Sequence, residues 1–231
     1  MNNRYTSGDY LKRNPDWHEG DSPWKARQIK KILDQNNLRP STVCEVGCGA
    51  GRVLSSLQEL LDHDVQFVGY DISPQAIERA KTRQNDHLTF FCEDVLVNKP
   101  EQTDVLIMID LIEHVEDYFS FLRAVKPLGT HKILHIPLDL SVQSLARMKP
   151  ILNQRSQVGH IHYFTKEIAL VMLAELGYQI IDSFYTGATI DLPAKSLKSR
   201  LMRLPRKLFF AMNQDLAVRY LGGYSLMILA K

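Results

Sequence analysis

The sequence TVCEVGCGAGRVL at residues 42–54 decides the fold. Its first half is rich in β-branched residues, and apolar residues recur at three- and four-residue spacing after it, so a buried strand is predicted to run into a helix. Three glycines stand at alternate positions between them, at Gly47, Gly49 and Gly51. Glycine adopts positive φ and lets the backbone approach a ligand closely, and the first N–H groups of a helix lack helical partners. The stretch therefore predicts a ligand-binding turn.

Acidic residues follow the predicted strands downstream of this turn. A continuously apolar run such as residues 103–109 is typical of a parallel strand that is covered on both faces. A carboxylate at the end of the second strand can accept hydrogen bonds from ribose hydroxyls. The strand and acid pairs are residues 65–70 with Asp71, residues 88–92 with Glu93 and Asp94, and residues 103–109 with Asp110.

The glycine spacing is G-x-G-x-G, whereas the last two glycines of the dinucleotide fingerprint are separated by two residues. From Glu45 to Gly51 the chain reads E-x-G-x-G-x-G, and with the acidic residues that follow it resembles the class I S-adenosylmethionine-dependent methyltransferases over about residues 22–231. The resemblance implies S-adenosyl-L-methionine as cofactor. It also implies an α/β fold, a doubly wound, seven-stranded, mostly parallel Rossmann-like sheet with helical cap insertions and an antiparallel last pair of strands. The implied cofactor-binding residues are Glu45, Gly47, Gly49, Gly51, Asp71, Ile72, Asp94, Val95 and Asp110.

Composition predicts an ordinary globule. The chain has 231 residues, 45% hydrophobic and 23% charged, and we expect residues 1–231 to form a single methyltransferase domain. No apolar run approaches a membrane span and no signal peptide is evident, so we expect a cytoplasmic protein. A net charge of +2 does not indicate a surface built for polyanions. The sequence does not predict the oligomeric state.

Three segments are predicted to choose the substrate, because loops at the site vary most within such a fold. They are an N-terminal lid over residues 1–24 and insertions over residues 138–164 and 186–222. We expect Trp17, His18 and Tyr163 to contact the substrate. An aromatic strap pinned to the core is the alternative for the N-terminal segment.

Histidine has a pKa suited to removing a proton from a hydroxyl near neutral pH. His114, His160 and His162 lie beside predicted site junctions and are the candidate catalytic bases, with a structural or substrate-binding role as the alternative. His135 lies on the predicted fifth strand and is assigned to the core. We expect methyl transfer to a small or medium-sized metabolite, with an oxygen acceptor favoured.

The run D-x-x-E-H from Asp110 to His114 resembles the metal-holding segment of some ubiquinone-type O-methyltransferases and small-RNA 2′-O-methyltransferases. A metal-assisted RNA 2′-O-methyltransferase is therefore an alternative, and a non-catalytic cofactor-binding regulatory module is another. We expect no metal in catalysis, because the sequence does not locate a third and a fourth ligand. Nucleic acid is not the expected substrate, since residues 110–113 differ from the Asn/Asp-Pro-Pro-Tyr of base-amine methyltransferases.

Residues 195–207 carry six positive charges and no acid. The pattern predicts a helix pair broken at Pro205. Four leucines at i, i+4, i+7 and i+11 predict an apolar stripe facing inward over the acceptor pocket, with the basic side chains on the opposite face and rim. Peripheral contact with an anionic surface is the partner expected of such a rim. The leucines are Leu197, Leu201, Leu204 and Leu208.

Overall fold

The computed structural model describes residues 8, 14, 17, 19–193 and 197–231, with residues 198 and 199 described for the backbone alone. Across this part of the chain, seven strands form one sheet in the order β3-β2-β1-β4-β5-β7-β6. The predicted doubly wound, mostly parallel sheet is confirmed. The strands are β1 (Thr42–Val46), β2 (Gln66–Asp71), β3 (Leu88–Cys92), β4 (Thr103–Ile109), β5 (Gly129–Pro137), β6 (Ile180–Thr186) and β7 (Ser225–Ala230).

Helices cover both faces of the sheet. They are α1 (Ser22–Gln35), α2 (Arg52–Gln58), α3 (Pro74–Lys81), α4 (Tyr118–Val125), α5 (Val142–Arg147), α6 (Lys149–Asn153), α7 (Lys166–Glu175), α8 (Ala188–Asp191), α9 (Leu197–Met212) and α10 (Gln214–Leu221). A 3₁₀ turn at Ile112–His114 follows β4, and a π-helical turn at Gln154–Val158 follows α6. None of the helices in the described ranges is both long and apolar enough to cross a membrane.

The first four strands place their carboxyl ends at one edge. β1 pairs in parallel with β2 and β4, and β7 pairs antiparallel with both β5 and β6, as predicted for the last two strands. Two apolar cores lie on opposite faces of the sheet. Because parallel strands carry side chains on two buried faces, β4 is apolar almost throughout. In sheets of this kind, ligands bind at the edge where the carboxyl ends of the parallel strands lie.

The glycine turn has the predicted backbone. Gly47, Gly49 and Gly51 all have positive φ, and the N–H of Gly47 donates to the carbonyl of Tyr70 at the end of β2 (2.8 Å). A Cβ at Gly51 would lie 2.5 Å from the ring of Phe90, whereas a Cβ at Gly49 would meet nothing within 4 Å. Gly51 therefore serves packing, and Gly49 leaves open space on the ligand side.

The predicted break at Pro205 is wrong. α9 continues through Pro205 as one helix of 16 residues and ends at Met212, after which Asn213 caps α10. A proline inside a helix leaves the carbonyl four residues before it without a donor. Pro205 lies on the exposed side of α9, where water can take that donor's place.

The predicted inward orientation of the leucine stripe is also wrong. Leu197, Leu201, Leu204 and Leu208 are between 59% and 77% exposed. The inner face is held by two of the basic residues instead. Arg203 donates to the carbonyls of Ile190 (2.9 Å) and Asp191 (3.0 Å), and Arg206 donates to the carbonyls of Leu221 and Gly222. These carbonyls end α8 and α10 and lack helical donors, so the guanidinium groups that satisfy them turn α9 with Arg203 and Arg206 inward.

The described part of the N-terminal segment lies against the body of the protein. Asn14 is buried and donates to the carbonyl of Gln157 (3.2 Å), and Glu19 pairs with Arg83 (2.5 Å). Of the predicted lid over residues 1–24, the structure describes residues 8, 14, 17 and 19–24, and the others, His18 among them, lie outside the described residues.

Candidate active site

A cavity of about 770 Å³ opens at the carboxyl ends of β1, β2 and β4. It extends from the glycine turn to the 3₁₀ turn after β4 and to the loop before α7. The cavity brings together most of the residues predicted from the sequence. These are Trp17, Glu45, Gly47, Gly49, Asp71, Ile72, Asp94, Val95, Asp110, His114 and His160.

Asp71 links β2 to the glycine turn. Its carboxylate accepts the N–H of Gly49 (2.9 Å) through one oxygen and the N–H of Ser73 (2.8 Å) through the other. Burial raises the pKa of Asp71 above its usual range, although these two donors counter part of the shift. Each carboxylate oxygen has a second lone pair, so the side chain can still accept hydrogen bonds from a ligand in the cavity.

Glu45 forms the floor beneath the turn. It is 2% exposed, and its Oε2 has no hydrogen-bond partner among the described residues. Burial raises the pKa of Glu45 to about 8, with Lys25 opposing the shift and Asp71 adding to it. A buried carboxyl oxygen without a partner is costly unless a ligand donates to it.

The acidic residue after β3 lies at the cavity wall. Asp94 accepts the N–H of Leu96 through Oδ1 (2.9 Å), which fixes the direction of its carboxylate. Val95 beside it is buried, and Ile72, which also lines the cavity, is 42% exposed. Apolar side chains at these two positions can enclose a flat ring system between them.

Asp110 holds three elements together at the end of β4. Its carboxylate pairs with Lys25 of α1 (2.8 Å) and accepts Nδ1–H of His135 of β5 (2.5 Å). Burial alone would raise the pKa of Asp110, but Lys25 and His135 outweigh it and hold the pKa well below its usual range. Nε2 of His135 lies 2.8 Å from the hydroxyl of Thr186 on β6. His135 is thus buried, as predicted, and in a polar network.

A buried carboxyl lies between two histidines on the other side of the cavity. Oε1 of Glu113 is 3.9 Å from Nε2 of His114 and 3.9 Å from Nε2 of His160. Both carboxyl oxygens of Glu113 are buried, and neither has a hydrogen-bond partner in the described chain. Burial raises the pKa of Glu113 well above its usual range, and the charge of Asp110 adds to the shift.

Contacts on the far side of each ring fix the orientation of the two histidines. Nδ1 of His114 donates to the carbonyl of Gly159 (3.1 Å), and Nδ1 of His160 donates to Asp139 (2.6 Å). The loop is held by the N–H of Ile161, which donates to the carbonyl of Glu113 (2.9 Å). Glu113, His114 and His160 form the one set of possible metal ligands found in the described residues. Their ligand atoms all lie within 4.8 Å of one another. His160 is therefore a third possible ligand, which the sequence did not locate.

Three of the predicted site residues do not line this cavity. His162 packs its ring edge against Tyr118 and approaches the carbonyl of Glu116 (3.2 Å). The hydroxyl of Tyr163 donates to the carbonyl of His160 (3.1 Å), and Gly51 packs on Phe90. His162 and Tyr163 stabilise the loop that carries His160 and stay predictions as catalytic and substrate-binding residues.

Sequence reasoning missed Lys25 and Asp139. Lys25 lies four residues after Asp21 in the first turns of α1, a local spacing that predicts a surface ion pair, and both residues do pair (3.2 Å). Its stronger partner, Asp110, is distant in the sequence. Asp139 follows β5, and its partner His160 lies 21 residues further along the chain, so no local sequence pattern predicts the pair.

Comparisons with known proteins agree with this geometry. Residues 17–183 match the family model described as "Methyltransferase domain", and the chain belongs to the S-adenosylmethionine-dependent methyltransferases. It is therefore a member of a class of enzymes.

Two groups of known proteins are similar to the chain. It is 30% identical over 110 residues to the ubiquinone biosynthesis O-methyltransferase of Pseudomonas syringae pv. tomato. The aligned region covers 44% of this chain and 47% of that protein. A ubiquinone biosynthesis O-methyltransferase of Coxiella burnetii is 30% identical over 95 residues, 39% of each chain. The chain thus spans less than half the length of these curated relatives.

Solved structures show the same fold at lower identity. The magnesium protoporphyrin IX methyltransferase of Synechocystis PCC 6803 with bound S-adenosylhomocysteine superposes with a TM-score of 0.60 at 17% identity, covering 90% of this chain and 82% of that one. The methyltransferase domain of a bacterial Hen1 superposes with a TM-score of 0.58 at 17% identity, covering 90% of this chain and 97% of that one.

S-Adenosylmethionine is the cofactor of this class, and the residues at the glycine turn fit it. Gly49 leaves open space where any other side chain would intrude, and the carboxyl groups of Asp71 and Glu45 line the same cavity. Asp71 would accept the ribose hydroxyls, and Asp94 would lie near the adenine amino group. The volume of about 770 Å³ is within the range of small-ligand sites.

We expect Asp71→Ala to weaken binding of S-adenosylhomocysteine about ten- to hundredfold, because hydrogen bonds to a charged group contribute about 1.5–3 kcal/mol. Isothermal titration calorimetry measures the effect. Asp64→Ala is the matched control, since Asp64 is exposed and lies outside the cavity. An unchanged affinity in Asp71→Ala would mean that other groups hold the ribose.

Lys25→Met should lower the free energy of unfolding at neutral pH by up to roughly 3 kcal/mol, because it leaves the partly buried carboxylate of Asp110 with one partner fewer. A depressed carboxyl pKa gives stability that is present above the ordinary value of 3.8 and is lost as the pH falls below it. The difference in the free energy of unfolding between Lys25→Met and the unaltered protein should therefore become smaller below about pH 4.

Urea unfolding at pH 7 and at successively lower pH values measures this difference. Lys30→Met on the same helix is the control, since Lys30 forms a more exposed pair with Asp34 and its loss should cost less than about 1 kcal/mol. A difference for Lys25→Met that stays constant with pH would contradict the role given to Asp110.

Proposed function

We propose that this enzyme transfers the methyl group to an oxygen atom of a small or medium-sized metabolite. The observation that carries the proposal is that His114 and His160, the two histidines beside the buried carboxyl of Glu113, line the same cavity as the glycine turn. A hydroxyl must lose its proton to become a good nucleophile near neutral pH, and a group that removes or stabilises that charge is needed beside it. The relatives named as O-methyltransferases support the same choice.

The acceptor side of the cavity is largely apolar. Val115, Phe121, Pro137 and Val158 line it together with the two histidines. Apolar walls with a few polar groups are typical of small-molecule sites, in which the polar groups set the orientation of the ligand. Since the cofactor takes part of the volume, the space that is left suits a small or medium-sized and partly apolar acceptor.

The charge around the cavity opposes the RNA alternative. Among the described lining residues, nine are acidic and two are lysine or arginine, Lys25 and Arg52. Nucleic-acid sites need basic groups to neutralise phosphates, so this mouth would repel a polynucleotide. The acidic residues are Glu19, Asp21, Glu45, Asp71, Glu93, Asp94, Asp110, Glu116 and Asp117.

When bound, S-adenosylmethionine supplies a methyl group that is already activated for displacement. The protein then has to hold the acceptor oxygen in line with it, and positioning of this kind can contribute about 7–11 kcal/mol. His160 would take the proton of the acceptor hydroxyl at Nε2, since its Nδ1–H is donated to Asp139. Asp139 is a positioning residue, because it fixes the tautomer and direction of the ring.

A divalent cation held by Glu113, His114 and His160 is the second candidate for activating the hydroxyl. The gap of 3.9 Å between Oε1 and each Nε2 exceeds a hydrogen bond. Carboxylate and imidazole are ligands that divalent cations accept, and the three possible ligand atoms all lie within 4.8 Å of one another. Both rings also donate their other nitrogen to an oxygen, as metal-binding histidines do. A cation would further neutralise the buried carboxyl.

A screen identifies the acceptor. Incubation with cofactor labelled in the methyl group and with fractionated metabolite extract should place label in small organic molecules as an ether or ester. His160→Asn should lower the turnover about 10²–10⁴-fold, the usual size of a lost general base. His63→Asn, an exposed histidine outside the cavity, is the control. Label confined to RNA or protein would overturn the proposal.

Cation binding is tested separately from turnover. If the cation candidate holds, calorimetry with Mn²⁺ or Zn²⁺ should show one site, and Glu113→Gln should abolish it because a charged ligand is removed. Asp139→Asn should weaken the site about 10–100-fold, as loss of an outer-shell partner does. If no cation binds and activity survives chelation with EDTA, the cation is excluded and His160 acts alone.

A further inference from the structure

Helix α9 presents an apolar stripe to solvent. Leu197, Leu201, Leu204, Leu208 and Met212 are 77%, 76%, 65%, 59% and 84% exposed. They recur at i, i+4, i+7, i+11 and i+15, so they form one line along about 22 Å of helix. Single exposed apolar residues are common, but a continuous line of large ones marks an interaction surface.

Specific contacts on the opposite side hold the stripe outward. Arg203 and Arg206 bond to carbonyls of residues 190, 191, 221 and 222, and the Arg206 guanidinium lies over the ring of Tyr224 (5.4 Å). Phe210 stacks on the same ring with centroids 5.0 Å apart. Because these groups anchor the inner face, the helix cannot turn its leucines toward the core without leaving those carbonyls unpaired.

The charges that flank the stripe are all of one sign. The sequence of α9 contains no aspartate or glutamate, and Arg200 and Lys207 are exposed beside the leucines. A second copy docking on the same face through a two-fold axis would bring two basic flanks together with no acid on either helix to neutralise them. An anionic lipid surface offers both an apolar layer for the leucines and negative charge for the flank.

We propose that α9 docks the enzyme on anionic membrane surfaces, with Leu197, Leu201, Leu204, Leu208 and Met212 entering the boundary between headgroups and acyl chains. Arg200 and Lys207 contact the anionic headgroups. The helix lies in the plane of the membrane and does not cross it. Arg203 and Arg206 take no part, since they are engaged with the body of the protein.

Co-sedimentation of the whole chain with phosphatidylcholine vesicles, with and without added phosphatidylglycerol, tests the proposal. We expect binding to the vesicles that contain phosphatidylglycerol and a fall in binding as salt is raised. Leu201→Ser with Leu204→Ser should lower the partition coefficient on the order of tenfold or more. Arg200→Glu with Lys207→Glu should abolish the preference for the anionic vesicles.

The matched control is Ile168→Ser with Val171→Ser, two apolar residues of α7 that are 47% and 57% exposed. This variant should bind vesicles as the unaltered protein does. Because all substituted side chains are exposed, unchanged circular dichroism and unfolding midpoints verify that each variant is folded. Absence of vesicle binding, or equal binding by the leucine variant and the unaltered protein, overturns the proposal. A dimer in sedimentation equilibrium that dissociates in the leucine variant, without vesicle binding, overturns it in favour of a second copy.

Discussion

The ion pair between Lys25 and Asp110 (2.8 Å) is the interaction on which the site depends. Asp110 has a φ of +50°, a conformation that costs a non-glycine residue on the order of 1–3 kcal/mol and persists only when its surroundings impose it. Here the carboxylate is held by a lysine from α1 and a histidine from β5, while the N–H of Asp110 donates to the carbonyl of His135 (3.0 Å). The turn after β4 therefore leaves the strand in one direction, and Glu113 and His114 are placed by it.

That ion pair also sets the electrostatics of the cavity. Glu45 and Glu113 are both buried, and the negative charge of Asp110 raises the pKa of each. Burial is the larger cause of both pKa shifts, and Lys25 opposes the shift at both carboxyls. Asp110 and Lys25 at the end of β4 thus act on the carboxyl beneath the glycine turn and on the carboxyl beside the histidines.

The sequence predicted what local pattern determines. Glycines at alternate positions, β-branched runs and acids after strands each act within a few residues, and the sheet and the turn follow from them. His114 and His160 were also identified, but Asp139 was not, because a pairing across 21 residues leaves no periodic signal. The helix α9 shows the limit most clearly. Periodicity correctly predicts that its leucines share a face, but it does not say which way that face points, and the buried carbonyls that Arg203 and Arg206 satisfy determine the direction.

The position of β7 has a consequence for biosynthesis. Although β7 follows the other six strands in the sequence, it lies inside the sheet between β5 and β6 and bonds to both. While the ribosome is still adding residues 225–230, β5 and β6 each have an open edge of backbone N–H and carbonyl groups beside apolar side chains. Open edges of this kind pair readily with other chains. A nascent chain of this enzyme is therefore most prone to aggregation just before β7 emerges, and chaperones that bind extended apolar segments would protect it during that interval.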